Sequence, residues 1–219
     1  MENNFIIIVP LYNGAGYIEQ FYRLIPAKFR AKLLFVDDGS TDTSREILVR
    51  KNLNFISHPV NRGKGAALIT GANYAAMNGI ENMIIMDIDL QHPPELTGRF
   101  TSFGNNLIQI AYRRQRKTMP IQRKISNFLT SLFISVRTNT VIKDSQCGFR
   151  AYPTGLAQDL EISAGGFQYE SEILMRAALK GYRIVHREIP VVYDDEPTQM
   201  NNITDTLRFM KLWFRSFFW

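Results

Sequence analysis

Cysteine is nearly missing from this sequence: Cys147 is the only one in 219 residues. An internal disulfide is thereby excluded, and the expectation is a reducing compartment. Histidine is almost as scarce. His58, His92 and His186 are scattered, with no His-x-x-x-His and no cysteine pair, so nothing supports a zinc site. Long hydrophobic runs are missing as well. No window holds about eighteen uninterrupted apolar residues, which leaves no transmembrane helix legible. The first apolar run has no basic region before it and reads as a strand rather than a signal peptide. Three familiar signatures are also absent. The Gly-x-x-x-x-Gly-Lys-Ser/Thr phosphate loop does not occur, the first strand does not lead into Gly-x-Gly-x-x-Gly, and there is no Gly-x-Ser-x-Gly elbow. These gaps argue against a phosphate-loop triphosphatase, a nicotinamide dinucleotide site and a serine hydrolase. Cys147 itself reads as a packed residue rather than a nucleophile.

What is present suits an enzyme core. An apolar content of 45% over 219 residues is enough to bury a full core as a single domain. The net charge of +6 fits an anionic partner such as phosphate, nucleic acid or an acidic membrane face. Phe5–Val9, closed by Pro10, reads as a buried strand, and a helix with Ile18, Phe21, Tyr22 and Ile25 inward follows it. Leu33–Val36 is a second strand ending in Asp37-Asp38-Gly39-Ser40, with Ser40 or Thr41 placed to cap the next helix. Phe55–Ser57 and an alanine-rich helix to about Met77 lead to the run Met83-Ile84-Ile85-Met86, which ends at Asp87. This β-α-β-α-β-α-β alternation predicts an α/β fold, a mostly parallel Rossmann-like sheet with helices on both faces. Ligands of such sheets bind beyond the carboxyl ends of the strands, where the acidic and glycine-rich motifs fall.

The second half is less regular. Leu107–Ala111 reads as another strand, and Arg113, Arg114, Arg116, Lys117, Arg123 and Lys124 form a basic run behind it. Ile121, Ile125, Phe128, Leu129, Leu132, Phe133 and Val136 then share one helical face, entered through Pro120. An ordinary core helix and a membrane-contacting helix fit that pattern equally well. Glu170–Leu179 is helical and stops at Gly181, Arg183–Val192 is a strand, and a helix from about Ile203 to Trp219 closes the chain. Its aromatics lie beside a stripe of Arg208, Lys211 and Arg215, the composition of an interfacial helix. The basic stretches lack any recognised nucleic-acid motif, so no nucleic-acid partner is expected.

Asp87 and Asp89 stand two apart, so in extended backbone they face one side, with Gln91 one step further on. Hard oxygen donors at a strand end suit Mg2+ or Mn2+. Alone, the pair reads better as a strand terminator and helix cap; its place among the other strand-end motifs favours metal. Asn61-Arg62-Gly63-Lys64-Gly65 opens a helix whose amides, with Lys64, are placed to hold a phosphate.

Val9-Pro10-Leu11-Tyr12-Asn13, Val36-Asp37-Asp38-Gly39-Ser40, Asn61–Gly65, Asp87-Ile88-Asp89-Leu90-Gln91-His92-Pro93 and Cys147-Gly148-Phe149-Arg150 occur in one order and spacing. In this the chain resembles the family-2 glycosyltransferases of the GT-A fold, and within them the polyprenyl-phosphate sugar synthases typified by dolichyl-phosphate mannose synthase. The resemblance spans about residues 4 to 212. It implies a nucleotide-diphosphate sugar (GDP- or UDP-linked) as donor, inversion at the anomeric carbon, and a nucleotide-sugar half at 1–112 with an acceptor half at 113–219. It further implies that Pro10, Tyr12, Asn13, Asp37, Asp38 and Lys64 line the donor site, and that Asp87 contacts the donor. Asp89 and Gln91 match the metal ligands, Arg113 a residue meeting the donor phosphates, and Arg123 a residue meeting a lipid phosphate. Gly14 stands where an acidic residue often follows Tyr-Asn, and 193–199 offers no match to the cations near the last strand.

The acceptor is read from charge. A hydroxyl acceptor needs a carboxylate base, whereas a phosphate is already an anion at neutral pH. Relatives using hydroxyls commonly carry Glu-Asp on a later helix; here that region reads Tyr169-Glu170-Ser171-Glu172. Together with the basic run, this favours a polyprenyl phosphate acceptor on the cytoplasmic membrane face, with peripheral membrane contact and an oligomer possible. Transfer to a saccharide hydroxyl, with Glu170 as base, is the second reading. A non-catalytic membrane-surface module is the third.

Overall fold

The computed structural model describes residues 4–113, 121–156, 168–190 and 202–219. One seven-stranded sheet organises them: β1 (Phe5–Leu11), β2 (Leu33–Asp37), β3 (Phe55–Ser57), β4 (Asn82–Ile85), β5 (Leu107–Arg113), β6 (Arg150–Pro153) and β7 (Arg183–Ile189), in the order β3-β2-β1-β4-β6-β5-β7. The strands are parallel except β6, which runs antiparallel to both β4 and β5. Reversal of this one strand puts its first residue, Arg150, at the same rim as the last residues of its neighbours; Arg150 pairs with Ile85.

Side-chain alternation along β1 divides the core in two. Phe5, Ile7 and Val9 face the layer of α1 (Ala15–Leu24) and α2 (Ser44–Arg50), packing on Ile18, Phe21 and Leu48. Ile6 and Ile8 face the layer of α3 (Lys64–Met77), α4 (Ile121–Thr138), α5 (Gln168–Leu179) and α6 (Asn202–Arg215). α3 sits close because its inner face is small. A Cβ on Gly71 would lie 2.7 Å from Ile8 Cγ2.

Several boundaries differ from the expectations. β1 does not stop at Pro10 but pairs with β2 as far as Leu11↔Asp37. β4 ends at Ile85, Asp87 follows it outside the strand, and Asp89 stands in a turn rather than on extended backbone, with Leu90 at φ 59. α2 begins at Ser44 after Thr43, not after Ser40 or Thr41, whose groups are used by the loop described below. β5 runs on to Arg113, and the last helix gives way to a 3-10 turn at Ser216–Phe218. The rest of the basic run (Arg114, Arg116, Lys117), Pro120, Val191, Val192 and the stretch 193–199 lie outside the described residues.

The reading of α4 as a core helix is corrected. Its buried positions are Asn127, Ser131, Ile134 and Thr138, while Ile121 (72% exposed), Phe128 (60%) and Val136 (68%) look outward with Ile125, Leu129 and Leu132. The polar side is inward because the 142–145 loop offers it partners. Asn127 Nδ2 donates to Asp144 Oδ1 at 2.7 Å, Ser131 Oγ accepts from the Ser145 amide, and Ser135 Oγ accepts from the Ile142 amide. Buried polar groups are costly unless bonded, and here they are bonded.

Candidate active site

The parallel strands deliver Leu11, Asp37, Ser57 and Ile85 to one rim, and the loops after them build the site. Asp38 donates its amide to the Leu11 carbonyl, clamping the first two strand ends together. Asn13, at φ 51, accepts from the Thr41 amide at 2.8 Å through its side-chain oxygen, while its own amide donates to Ser40 Oγ. Gly14 donates to Ser44 Oγ, and a Cβ there would lie 2.7 Å from Leu11 Cδ1. A larger residue at position 14 would require the end of the Leu11 side chain to shift. Tyr12 stands exposed at the rim and Pro10 is half-buried beneath it.

Both carboxylates of the Asp37-Asp38 pair are buried and bonded. Asp37 accepts from the Ser40 amide and from Ser57 Oγ, each at 3.0 Å. Asp38 accepts from the Arg62 and Gly63 amides at 3.0 and 2.7 Å and meets His58 Nδ1 at 2.6 Å. Asp38 thus fills much of the amide cradle at the start of α3 that the sequence offered to a phosphate.

Lys64 turns the other way. Its ammonium bridges Asp87 Oδ1 at 2.6 Å and Glu170 Oε1 at 3.0 Å, joining residues from opposite halves of the chain. Burial by itself would lower the Lys64 pKa, but these two carboxylates carry it well above the usual lysine range. Burial likewise works to raise Asp87, and Lys64 prevails, holding it below the usual carboxylate range. Among the described residues Asp89 has no such partner. Burial and then the negative charge of Asp87 push it up to about 6, with the Gln91 amide donating to its Oδ1 at 3.1 Å.

Cys147-Gly148-Phe149-Arg150 is the other wall. A Cβ on Gly148 would sit 1.9 Å from Asp87 Oδ2, so only glycine leaves that carboxylate its place. Arg150 is fully buried and donates to three carbonyls, those of Cys147, Ser145 and Glu170, at 2.8, 2.6 and 2.8 Å. It ties the turn to the start of α5. Burial pushes the Cys147 thiol up to about 12, which suits a packed residue. Arg113 is buried as well, and Asp144 grips it with two contacts of 2.7 and 2.8 Å. Arg123 stands half-buried near the start of α4. His92 is buried within range of the Asp87 charge, neither ring nitrogen has a partner among the described residues, and burial lowers its pKa to about 4.

The structure therefore brings together Asp87, Asp89, Gln91 and Lys64, and adds Glu170, Gly148, Arg150, Asp144 and His92, to which the sequence reading gave no primary role. Cys147–Arg150 stood out as a motif, yet its purpose depends on a contact with Asp87 that no local pattern reports. Asp144 had no signal at all. Among the described residues no three His, Cys, Asp or Glu side chains cluster as a metal cage. Asp89 and Gln91 still fit Mg2+ or Mn2+, because such ions take one or two protein oxygens and complete their shell with substrate phosphates. The elevated pKa of Asp89 marks a carboxylate whose charge is poorly compensated, and a cation would relieve it.

The sequence profile of glycosyl transferase family 2 matches residues 6–158, well over half the chain. The chain belongs to this family. Among family relatives, an uncharacterized protein of Methanocaldococcus jannaschii is 29% identical over 206 residues, covering 87% of this chain and 89% of its own. The undecaprenyl-phosphate 4-deoxy-4-formamido-L-arabinose transferase of Salmonella dublin is 27% identical over 158 residues, 67% of this chain and 47% of that protein. The matched region is thus about half of that transferase. Among solved structures, glucosyl-3-phosphoglycerate synthase from Mycobacterium tuberculosis in complex with uridine diphosphate superposes with TM-score 0.73 at 18% identity, over 98% of this chain and 80% of that one. The same synthase with Mn2+, UDP-glucose and phosphoglyceric acid gives 0.69 at 18%, over 99% and 79%. At these identities the agreement establishes the fold, a GT-A α/β sheet.

Proposed function

We propose that this family-2 enzyme moves a sugar, with inversion, from a UDP- or GDP-linked donor to a polyprenyl phosphate. The observation carrying the acceptor class is the state of Glu170. A base for a hydroxyl acceptor must be a carboxylate with an open lone pair near the sugar. Glu170 is instead held by Lys64, with Arg150 Nη2 3.8 Å from its other oxygen. A phosphate acceptor arrives already ionised and needs no base. The partial likeness to an undecaprenyl-phosphate sugar transferase supports the same class.

In this reading Tyr12 and Pro10 seat the base of the nucleotide, and Asp37, Asp38 and Asn13 hold the loop around it. Asp89 and Gln91 hold Mg2+ or Mn2+, which when bound offsets charge gathering on the leaving diphosphate. Asp87, fixed by Lys64 and given space by Gly148, faces the donor. Arg113, aligned by Asp144, adds positive potential beside the phosphates, and Arg123 meets the acceptor phosphate. Transfer from UDP- and GDP-sugars, with Mn2+, is to be assayed against a short-chain polyprenyl phosphate and against oligosaccharides. A glycosylated lipid phosphate is expected; glycosylated saccharide without lipid product would assign the acceptor to the hydroxyl class. Excess EDTA should abolish transfer, and full activity in EDTA would remove the metal from the site.

A further inference from the structure

α3 carries Lys64 at its first position but starts without a cap of its own. Its N-cap is Gly63, at φ 88, and its first turn holds no acidic residue. The missing charge comes from Asp38, whose carboxylate takes the Arg62 and Gly63 amides and so lies at the positive end of the helix. Asp38 is held in turn by His58. The imidazole is buried, its Nδ1 lies 2.6 Å from Asp38 Oδ1, and its Nε2 lies 2.9 Å from Oγ1 of Thr70, further along α3. A carboxylate only accepts, so Nδ1 donates to Asp38, and Nε2 of the neutral ring accepts from the Thr70 hydroxyl. The His58 amide also donates to the Asp37 carbonyl at 2.8 Å, which fixes the backbone carrying the ring.

His58 thus ties the ends of β2 and β3 to α3. With the ring buried and both nitrogens taken, it has nothing left to offer a substrate; what it reaches is the support of Lys64. We infer that His58 is a positioning residue: through Asp38 it fixes the 61–63 loop, and so the place of Lys64 between Asp87 and Glu170. This rests on the donor-site reading above, in which Lys64 holds Asp87 toward the donor. The route is short, because the two amides that Asp38 accepts from directly precede Lys64. It also has little slack. A Cβ on Gly39 would lie 2.4 Å from the Val60 carbonyl carbon, so the turn after Asp38 rests on the backbone leading into the loop. Without the Nδ1 donor, a buried carboxylate oxygen loses a partner and Asp38 is free to turn away from the helix. A misplacement of about 1 Å in catalytic machinery can cost about 10²-fold in rate.

Three variants separate the two ring nitrogens. Asparagine sets its amide nitrogen where Nδ1 stands, glutamine where Nε2 stands, and leucine offers neither. Hydrogen exchange at the Arg62 and Gly63 amides, read against amides of β1, should quicken at least about tenfold in His58→Leu and His58→Gln and stay near wild type in His58→Asn. The kcat for sugar transfer should fall at least about tenfold in the same two variants, while affinity for UDP or GDP with Mn2+ changes by less than about threefold. Unchanged exchange in His58→Leu would overturn the inference. So would equal effects in His58→Asn and His58→Gln, since the ring would then only fill space. Nucleotide affinity and melting temperature falling together with kcat would assign His58 to general stability, with the same consequence. Quickened exchange at full turnover would show Lys64 indifferent to the loop, which also removes the positioning role. The exchange comparison is independent of the acceptor. If it runs as expected while the wild type glycosylates a saccharide and no lipid phosphate, the acceptor reading alone fails.

Discussion

At the scale of single residues, the site is shaped by one unpaired charge and one missing side chain. Asp89 carries a pKa near 6, above the value of about 4 for a free aspartate. Between those two values the folded state keeps a proton that the unfolded chain has lost, so stability falls as pH rises through that window and stays reduced above it. Asp89→Asn should therefore abolish metal-dependent transfer yet stabilise the metal-free protein at pH 7 by about 1–2 kcal/mol. The gain should vanish near pH 4. Thermal melts of the two proteins across that range, in EDTA, check both signs; a destabilised Asp89→Asn at pH 7 would contradict the charge argument. Gly148→Ala tests the missing side chain. Its Cβ would overlap the Asp87 carboxylate, so that group must move off Lys64. Overpacking of this kind costs about 1–3 kcal/mol, and turnover should drop at least about tenfold with the circular dichroism spectrum kept.

At the scale of elements, the sequence announced its strands well and its helix faces poorly. Apolar runs located β1, β2 and β4, because burial on both sides of a parallel sheet imposes that pattern, and the runs of β2 and β4 lead straight into acid. The run at Met83–Met86 could not reveal that the chain turns between Asp87 and Asp89, a turn that goes with Leu90 at φ 59. For α4, periodicity correctly grouped Ile125, Phe128, Leu132 and Val136 on one face. Which face is buried depends on Asp144, Ser145 and Ile142, and those partners come from a loop with no periodic signature. The link between α3 and α5 was equally hidden, and it gives a prediction. Glu170→Gln keeps a hydrogen-bond acceptor for Lys64 and should retain transfer to lipid phosphate within about tenfold, whereas loss of a general base typically costs 10²–10⁴-fold, roughly. Lys64→Met is the harsher change. It leaves Asp87 and Glu170 facing each other with their cation gone, and should cost about 3 kcal/mol, partly restored in Lys64→Met/Glu170→Gln.

At the scale of the whole molecule, the described site residues gather at one rim of the sheet, and the reversed β6 brings Gly148 and Arg150 to the same side. Among the described residues the opposite rim carries connections: 25–32, 51–54, 78–81, 101–106 and 180–182. Gly79 and Gly181 have nothing within 4 Å of a built Cβ. The two rims should therefore differ in how much novelty they tolerate. A short flexible peptide grafted after Asn105 or Gly181 should leave transfer intact, while the same graft after the half-buried Gly39 should silence the enzyme. Length variation among descendants of this chain is expected to accumulate on the quiet rim, where it is nearly free of consequence. That rim is also the natural place to attach a label, a surface or a second protein.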